Sequence, residues 1–153
     1  MNKLHPLILT PEKKEILISK MLYSFLWLPD EVRASHEIEV FVDYLFSGTR
    51  SAFWEIGNFD GIVGFYDILP EYKCVFLARL WHRSAWSHSL VREIKDLALK
   101  FRADQRMRRI SLATPDERLG KLARLIGFRA EGTQKNAFRF ERKLYTQFLY
   151  RLI

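Results

Sequence analysis

The stretch 79-RLWHRSAWSHSL-90 combines two histidines, three serines and two arginines with two tryptophans. It lies between an apolar run, 75-VFLAR-79, and a segment with helical periodicity, which indicates a strand-to-helix turn. In many nucleotide- and cofactor-binding folds this turn is rich in glycine, because backbone N–H groups must approach a phosphate closely. The stretch contains no glycine, so whether it binds an anion depends on how its side chains are placed around the backbone amides.

Two interpretations of this turn remain open. In the first, Arg83, Ser84, Ser87 and His88 hold a phosphate-bearing ligand together with nearby backbone amides. In the second, Ser84 or Ser87 caps the start of a helix and Trp86 packs on a sheet. The missing glycines favour the second interpretation.

Three residues are candidates for proton transfer. Glu55 and Asp67 lie on predicted strands, where a carboxylate beside a cleft can act as a general base, and His82 is a candidate proton acceptor in the turn. Each has a simpler interpretation as an exposed surface side chain.

Cys74 lies in an apolar strand, which predicts a buried core thiol rather than a nucleophile. The histidines and Cys74 have no ligand spacing, so we expect no metal site.

Positive charge is concentrated in the second half of the chain. Residues 1–78 contain 7 Lys and Arg against 11 Asp and Glu, a net charge of −4, whereas residues 79–153 contain 18 against 7, a net charge of +11. Such a surface attracts nucleic acid, a phosphorylated cofactor or an acidic protein surface, and basic residues near aromatic ones, such as Arg139 and Arg151, could hold phosphates and stack bases. The alternative is a solvated basic surface without a specific partner.

Length and composition predict one domain over residues 1–153. A chain of this size can bury a core, and 48% hydrophobic with 14% aromatic residues excludes general disorder. No apolar run reaches the length of a membrane span, and the N-terminal residues lack a secretory segment. We therefore expect a cytoplasmic protein without a membrane partner.

The periodicity of the sequence changes from helical to strand-like near residue 50. The first half predicts strand 6–9, helices 11–27 and 35–46, and strands 51–56, 62–69 and 74–81. The second half predicts helix 90–101, strand 109–113 and then a further helix. That helix should start at a Thr114 cap, with Glu117 completing a capping box. The chain should close with strands 128–132 and 144–152, and residues 137–140 extend this last hairpin. Gly127 is the expected stop of the last helix. This order predicts an α/β (α+β) fold whose mixed central sheet has helices on both faces.

This order of elements, together with 113-ATPDERLGKLARLIGFRAEGT-133, resembles the GCN5-related N-acetyltransferase superfamily. The likeness covers roughly two thirds of the chain from about residue 51, and its most specific part is the helix that ends in 125-LIGF-128 before a basic, aromatic hairpin. A weaker similarity is to small acetyltransferase-like proteins of tailed bacteriophages, some associated with head assembly, for which the location would be the virion.

The resemblance implies a mostly antiparallel sheet and acetyl-CoA as the ligand of the gap between the fourth and fifth strands. The turn after the fourth strand, with the pattern Arg/Gln-x-x-Gly-x-Gly/Ala, would present amides at a helix N-terminus to the pyrophosphate. A general base would then take a proton from an amine that attacks the thioester directly. The implied cofactor-binding residues are Leu80, Trp81, Arg83, Ser84, Ala85, Trp86, Ser87 and His88.

The sequence departs from the family pattern at three positions. Trp86 and His88 stand where the phosphate-binding turn has glycine and glycine or alanine, and Ala123 stands where the family has a tyrosine that protonates the leaving thiolate. Asp116 matches a frequent asparagine near the start of that helix, and Arg83 matches the pattern.

Two functions follow from these observations. The first is an acetyl-CoA-dependent N-acetyltransferase that acts on a small-molecule or peptide amine. The second is a non-catalytic structural or assembly protein, for example in a phage particle, that keeps this fold and contacts an acidic protein surface or nucleic acid through its basic half. The oligomeric state is left open by the sequence.

Overall fold

A computed structural model describes residues 3–23, 27–34, 37–81 and 86–153. The elements, in chain order, are β1 (Leu4–Pro6), α1 (Pro11–Tyr23), α2 (Asp30–Arg33), α3 (Ile38–Ser47), β2 (Ala52–Ile56), β3 (Gly61–Leu69), β4 (Lys73–Leu80), α4 (His88–Asp104), β5 (Arg109–Thr114), α5 (Glu117–Ile126), β6 (Phe128–Phe140) and β7 (Lys143–Leu152). In the described residues no helix has the length and hydropathy needed to cross a membrane.

The strands form one seven-stranded sheet in the order β1-β2-β3-β4-β5-β7-β6. Neighbouring strands are antiparallel except β4 and β5, which run parallel because α4 carries the chain back between them. The predicted α/β (α+β) fold with a mixed, mostly antiparallel sheet is confirmed.

Each face of the sheet is covered by its own set of helices. Helices α4 and α5 pack on one face, where Phe65, Phe76 and Ile94 belong to the larger core. Helices α1 and α3 pack on the other face, where Leu17 and Val42 meet inward side chains of β2 and β3. Because alternate side chains of a strand point to opposite faces, β4 contributes to both cores at once.

The N-terminal boundaries differ from the predicted ones. Strand β1 lies at Leu4–Pro6 rather than 6–9, because Leu7 and Leu9 pack against the core beneath α1 and α3 instead of extending the strand. Helix α1 is described as far as Tyr23, Trp27 is not helical although the prediction included it, and a separate turn of helix, α2, precedes α3. Pro29 adopts an extended conformation before α2, which divides the helical segments.

The start of α5 also corrects the prediction. Asp116, not Thr114, is the N-cap, and its carboxylate accepts a hydrogen bond from the Arg118 amide at 2.9 Å. Thr114 still belongs to β5, where it pairs with Phe148 of β7, so it cannot act as the cap. The predicted stop at Gly127 is confirmed, since its φ of +116° is left-handed.

The first strand of the closing hairpin is continuous where the prediction left a break. Strand β6 is continuous from Phe128 to Phe140 and pairs with β7 over its length. The predicted extension over 137–140 is confirmed, since Phe138 to Phe140 pair with β7. Register irregularities between Ala130 and Gly132 and between Gln134 and Phe138 allow the strand to continue between 132 and 137.

Candidate functional site

A gap in the sheet opens between β4 and β5. The two strands pair only at their first residues, from Lys73↔Arg109 to Val75↔Ser111. Beyond that point β4 continues beside β3 to Leu80, while β5 stays paired with β7 as far as Thr114. Within the described part of the chain, no strand pairs with the β5-facing edge of β4 after Val75.

A cavity of about 590 Å³ occupies this gap. Its wall on one side consists of Ala78, Arg79 and Leu80 of β4 and of Trp81, which follows the strand. Opposite β4, the wall is Asp116 and one side of α5, as far as Leu125. Lys20, Trp27, Trp86 and Val91 complete the lining.

The cavity passes from one face of the sheet to the other. Ala78 and Leu80 of β4 belong to the core on the α4 and α5 face, whereas Trp81 packs with Trp27 in the core on the α1 and α3 face. Strand alternation places Arg79 on the same side as Trp81. A ligand in the gap could therefore be approached from both faces.

Two stacked tryptophans line the cavity on the α1 and α3 face. The rings of Trp27 and Trp81 are 5.4 Å apart and inclined by 26°, and the Trp81 Nε1 donates to the Phe59 carbonyl at 2.7 Å. The Arg79 guanidinium lies 5.5 Å from the Trp27 ring centre, and Lys20 Nζ lies 5.8 Å from that of Trp81. Both cations are within the range of a cation–π contact.

The charges that line the cavity are mostly positive. Lys20, Arg79, Arg118 and Lys121 are the cations among the described lining residues, and Asp116 is the carboxylate. Burial lowers the pKa of Arg79 to about 10, and the negative charge of Asp116 partly opposes this effect. Arg79 therefore stays charged at neutral pH, in surroundings that favour an added negative charge.

The N-terminus of α4 lies at one end of the cavity. Ser87 caps the helix by accepting from the Leu90 amide at 3.2 Å, and Lys3 Nζ donates to the same hydroxyl at 3.2 Å. Trp86 is half-buried and packs against the core, whereas His88 is exposed. This end of the cavity thus combines a helix N-terminus with an added cation.

Solved acetyltransferase structures agree with this architecture over almost the whole chain. RimL, a ribosomal L7/L12 alpha-N-protein acetyltransferase solved with coenzyme A, is 15% identical with a TM-score of 0.73, over 100% of this chain and 95% of that chain. A GNAT-family acetyltransferase of Streptococcus pneumoniae is 16% identical with a TM-score of 0.66, over 97% of both chains. The chain has the GCN5-related N-acetyltransferase fold.

A third structure with the GCN5-related fold is the spermidine N-acetyltransferase of Vibrio cholerae, solved with CoA and spermine. It is 14% identical to this chain with a TM-score of 0.70, over 98% of this chain and 95% of that chain. A search with the sequence itself against protein-family models and curated proteins finds no match. The agreement at these low identities is therefore one of fold, and the resemblance to phage proteins stays a prediction.

The GCN5-related fold brings only some of the predicted cofactor residues to the cavity. Leu80, Trp81 and Trp86 line it, while Ser87 and His88 lie at the start of α4. His82, Arg83, Ser84 and Ala85 lie outside the described residues. The capping role foreseen for Ser87 and the packing of Trp86 are both observed, and they leave the α4 N-terminus beside the cavity.

The two predicted carboxylate bases lie away from the cavity lining. Glu55 of β2 forms an ion pair with Lys13 of α1. Asp67 lies at a bulge of β3 with a positive φ of 51°, where it accepts a hydrogen bond from the Tyr44 hydroxyl. Both carboxylates therefore have structural partners.

Cys74 and Ala123 are buried in the core of the α4 and α5 face. Burial raises the pKa of the Cys74 thiol to about 12, so the thiolate needed for nucleophilic attack is scarce at neutral pH. Ala123 is fully buried and offers no proton donor. In the described residues no three His, Cys, Asp or Glu side chains are grouped closely enough to hold a metal ion.

Most residues that line the cavity carry no signal in the sequence. Lys20, Trp27 and Lys121 come from three separate segments, and only packing brings them together. Arg79 does have a visible signal, since it is a charged residue in an apolar strand and adjoins the polar residues of the turn. Asp116 matches a family position, but nothing in the sequence marks it as a base.

Proposed function

We propose that the protein is an acetyl-CoA-dependent N-acyltransferase. The observation that carries the proposal is the cavity of about 590 Å³ in the gap where β4 and β5 separate. RimL and the Vibrio cholerae enzyme, which share this fold, were both solved with coenzyme A. When bound, acetyl-CoA supplies an acetyl thioester, whose carbonyl carbon forms a C–N bond to an amine as its C–S bond breaks.

The residues around the cavity fit such a ligand. The β5-facing edge of β4 beyond Val75 has no strand partner among the described residues, which suits the amide groups of a pantetheine arm. At the far end, the α4 N-terminus and Lys3 favour phosphate oxygens, and Arg118 and Lys121 add positive charge along α5. His88, at the position of a family glycine or alanine, has an exposed side chain.

Asp116 is the residue we assign to proton transfer. It is the carboxylate among the described lining residues, and it lies at the start of α5, where its charge acts on Arg79. Its Oδ1 accepts from the Arg118 amide, so its orientation is set by the helix start. In this role Asp116 accepts the proton of the attacking amine, directly or through a water molecule.

The remaining steps need no covalent intermediate on the protein. Cys74 is buried with a raised pKa, so the amine receives the acetyl group directly. Because Ala123 replaces the family's tyrosine, we assign protonation of the leaving thiolate to solvent. The accessory acid of the family is thus absent from its usual position, and we expect a modest turnover rate.

The acceptor we propose is an amine, in keeping with the substrates of the proteins that share the fold. RimL is an alpha-N-protein acetyltransferase of ribosomal L7/L12, and the Vibrio cholerae enzyme is a spermidine N-acetyltransferase. The test is release of free thiol from acetyl-CoA in the presence of a panel of amines. Amine-dependent thiol release supports the proposal, and a rate equal to spontaneous hydrolysis with every amine contradicts it.

A non-catalytic module is the second candidate, and the fully buried Ala123 is the observation that favours it. In that case the cavity would bind a ligand without catalysing acetyl transfer. CoA binding without thiol release, across the whole amine panel, would support this alternative over an enzyme.

A further inference from the structure

Two cations of the cavity, Arg79 and Lys20, form no ion pair among the described residues. Arg79 donates to the carbonyl of Ala78 at 2.9 Å and lies over Trp27, and Lys20 lies over Trp81. By contrast, Lys13 and Lys14 on the same helix as Lys20 both form ion pairs.

This arrangement leaves positive charge with little compensation on a half-buried wall. Burying a charge is unfavourable unless an opposite charge or hydrogen bonds replace water, and burial lowers the pKa of Arg79 to about 10. Asp116 is the carboxylate whose charge acts on Arg79, but its own ion pair is with Arg118. A ligand with a negative group would complete the electrostatic balance.

The two cations lie on the α1 and α3 face, away from the groups suited to phosphates of CoA. Alternation along β4 puts Arg79 with Trp81 and Trp27, whereas α4 and α5 cover the opposite face. The aromatic faces of Trp27 and Trp81 are already occupied by Arg79 and Lys20, so a polycation such as a polyamine would meet like charges there. The positive charge of Arg79 and Lys20 on this side of the cavity thus favours a ligand with an anionic group.

We infer that the acceptor carries an anionic group, a carboxylate or a phosphate, in addition to its amine, and that Arg79 and Lys20 bind that group. This inference rests on the proposed acyltransferase function and specifies its substrate class. A guanidinium can hold either group with paired hydrogen bonds, and a lysine adds a point charge.

The test compares the specificity constant, kcat/KM, for 4-aminobutyrate, phosphoethanolamine and spermidine in the thiol-release assay. We expect one or both anionic amines to exceed spermidine by about tenfold or more, since each charge contact at this depth changes affinity by about that factor. The ratio between the two anionic amines shows whether carboxylate or phosphate is preferred. A preference for spermidine overturns the inference while leaving the proposed function intact.

Variants of Arg79 and Lys20 test whether these side chains bind the anionic group of the acceptor. Arg79→Gln and Lys20→Gln should each lower kcat/KM for the preferred anionic amine about tenfold and change the affinity for CoA by less than about twofold. Lys14→Gln, on the same helix but outside the cavity lining, is the matched control and should change neither quantity. If Arg79→Gln and Lys20→Gln weaken CoA as much as they weaken the amine, or change neither, the assignment of these cations to the acceptor is wrong.

Tryptophan fluorescence measures binding at the proposed subsite without requiring catalysis. Trp27 and Trp81 lie at the proposed subsite, so their fluorescence should respond to phosphoethanolamine or 4-aminobutyrate in the absence of CoA. A response that Lys20→Gln abolishes supports the subsite even if no acetyl transfer occurs. No response, in a protein that does bind CoA, counts against the subsite and not against the acyltransferase.

Discussion

Single residues determine the electrostatics of the cavity. Arg79 is held beside Trp27 with no ion-pair partner among the described residues, and Asp116 is the carboxylate that faces the same space. The Asp116 side chain combines two tasks, since it caps α5 and is the proton acceptor we propose. These two tasks can be separated, because asparagine caps a helix about as well as aspartate but cannot take a proton.

Asp116→Asn should therefore lower the rate of thiol release by roughly a hundredfold, the usual range for loss of a general base. The melting temperature should stay close to that of the wild type, because the cap is retained. The measurements are steady-state kinetics with the best amine and a thermal melt. Equal rates for Asp116→Asn and the wild type would remove Asp116 from the mechanism.

At the scale of elements, the tip of the hairpin formed by β6 and β7 is hydrogen-bonded to α2. The amides of Glu141 and Arg142 donate to the two carboxylate oxygens of Asp30 at 2.9 and 3.1 Å, and Arg33 lies 4.4 Å from the ring centre of Phe140. The hydrogen bond from the Arg142 amide is the main reason that the pKa of Asp30 falls below its ordinary value. The carboxylate form therefore holds the tip.

Asp30→Ala should release the tip of the hairpin. Because the folded pKa of Asp30 is lowered, the contact is complete above the ordinary carboxyl pKa and is lost as the pH falls through the lowered value. The protection factors of the Glu141 and Arg142 amides, which correct hydrogen exchange for its intrinsic pH dependence, should fall in Asp30→Ala at neutral pH to those of the acidified wild type. Unchanged exchange would mean that other contacts, such as Arg33 on Phe140, hold the tip.

Helix α5 contains a second contact between elements that the sequence does not reveal. A Cβ atom at Gly120 would lie 2.3 Å from the Tyr150 hydroxyl of β7. Gly120→Ala should therefore destabilise the protein by about 1–3 kcal/mol, despite the better helix propensity of alanine. Adding Tyr150→Phe removes the hydroxyl and should recover part of the loss, whereas Gly132→Ala, which meets no atom within 4 Å, is the control.

Denaturant unfolding of these variants measures the effect. A Gly120→Ala protein as stable as the wild type would contradict the close contact with Tyr150. A double variant with Tyr150→Phe that is less stable than Gly120→Ala alone would contradict it as well.

Some element boundaries could be read from the sequence and others could not. Gly127 is a local signal, because a left-handed helix end favours glycine whatever surrounds it. The cap of α5 has no such signal, because Thr114 and Asp116 both fit as caps and only the pairing of Thr114 with Phe148 decides between them. The continuity of β6 between residues 132 and 137 could not be predicted for a similar reason, since its register irregularities are accommodated by pairing with β7.

At the scale of the whole molecule, the order of elements was enough to predict the sheet and its two covered faces. The meander β2 to β4 and the α4 crossover each follow from local periodicity and turn residues. The cavity could not be predicted in the same way, because Lys20, Arg79 and Lys121 are distant in sequence. The basic second half supplies Arg79, Arg118 and Lys121, so part of its charge lines this cavity rather than an outer surface.

The central claim is that the gap between β4 and β5 binds CoA, and calorimetric titration with CoA tests it most directly. We expect saturable binding that Lys121→Glu weakens about tenfold at low salt, because a negative side chain then faces the phosphates. Lys135→Glu, an equal change of net charge on the exposed edge strand β6, should leave the affinity unchanged. No heat at millimolar CoA, or equal weakening by the two variants, would contradict the claim.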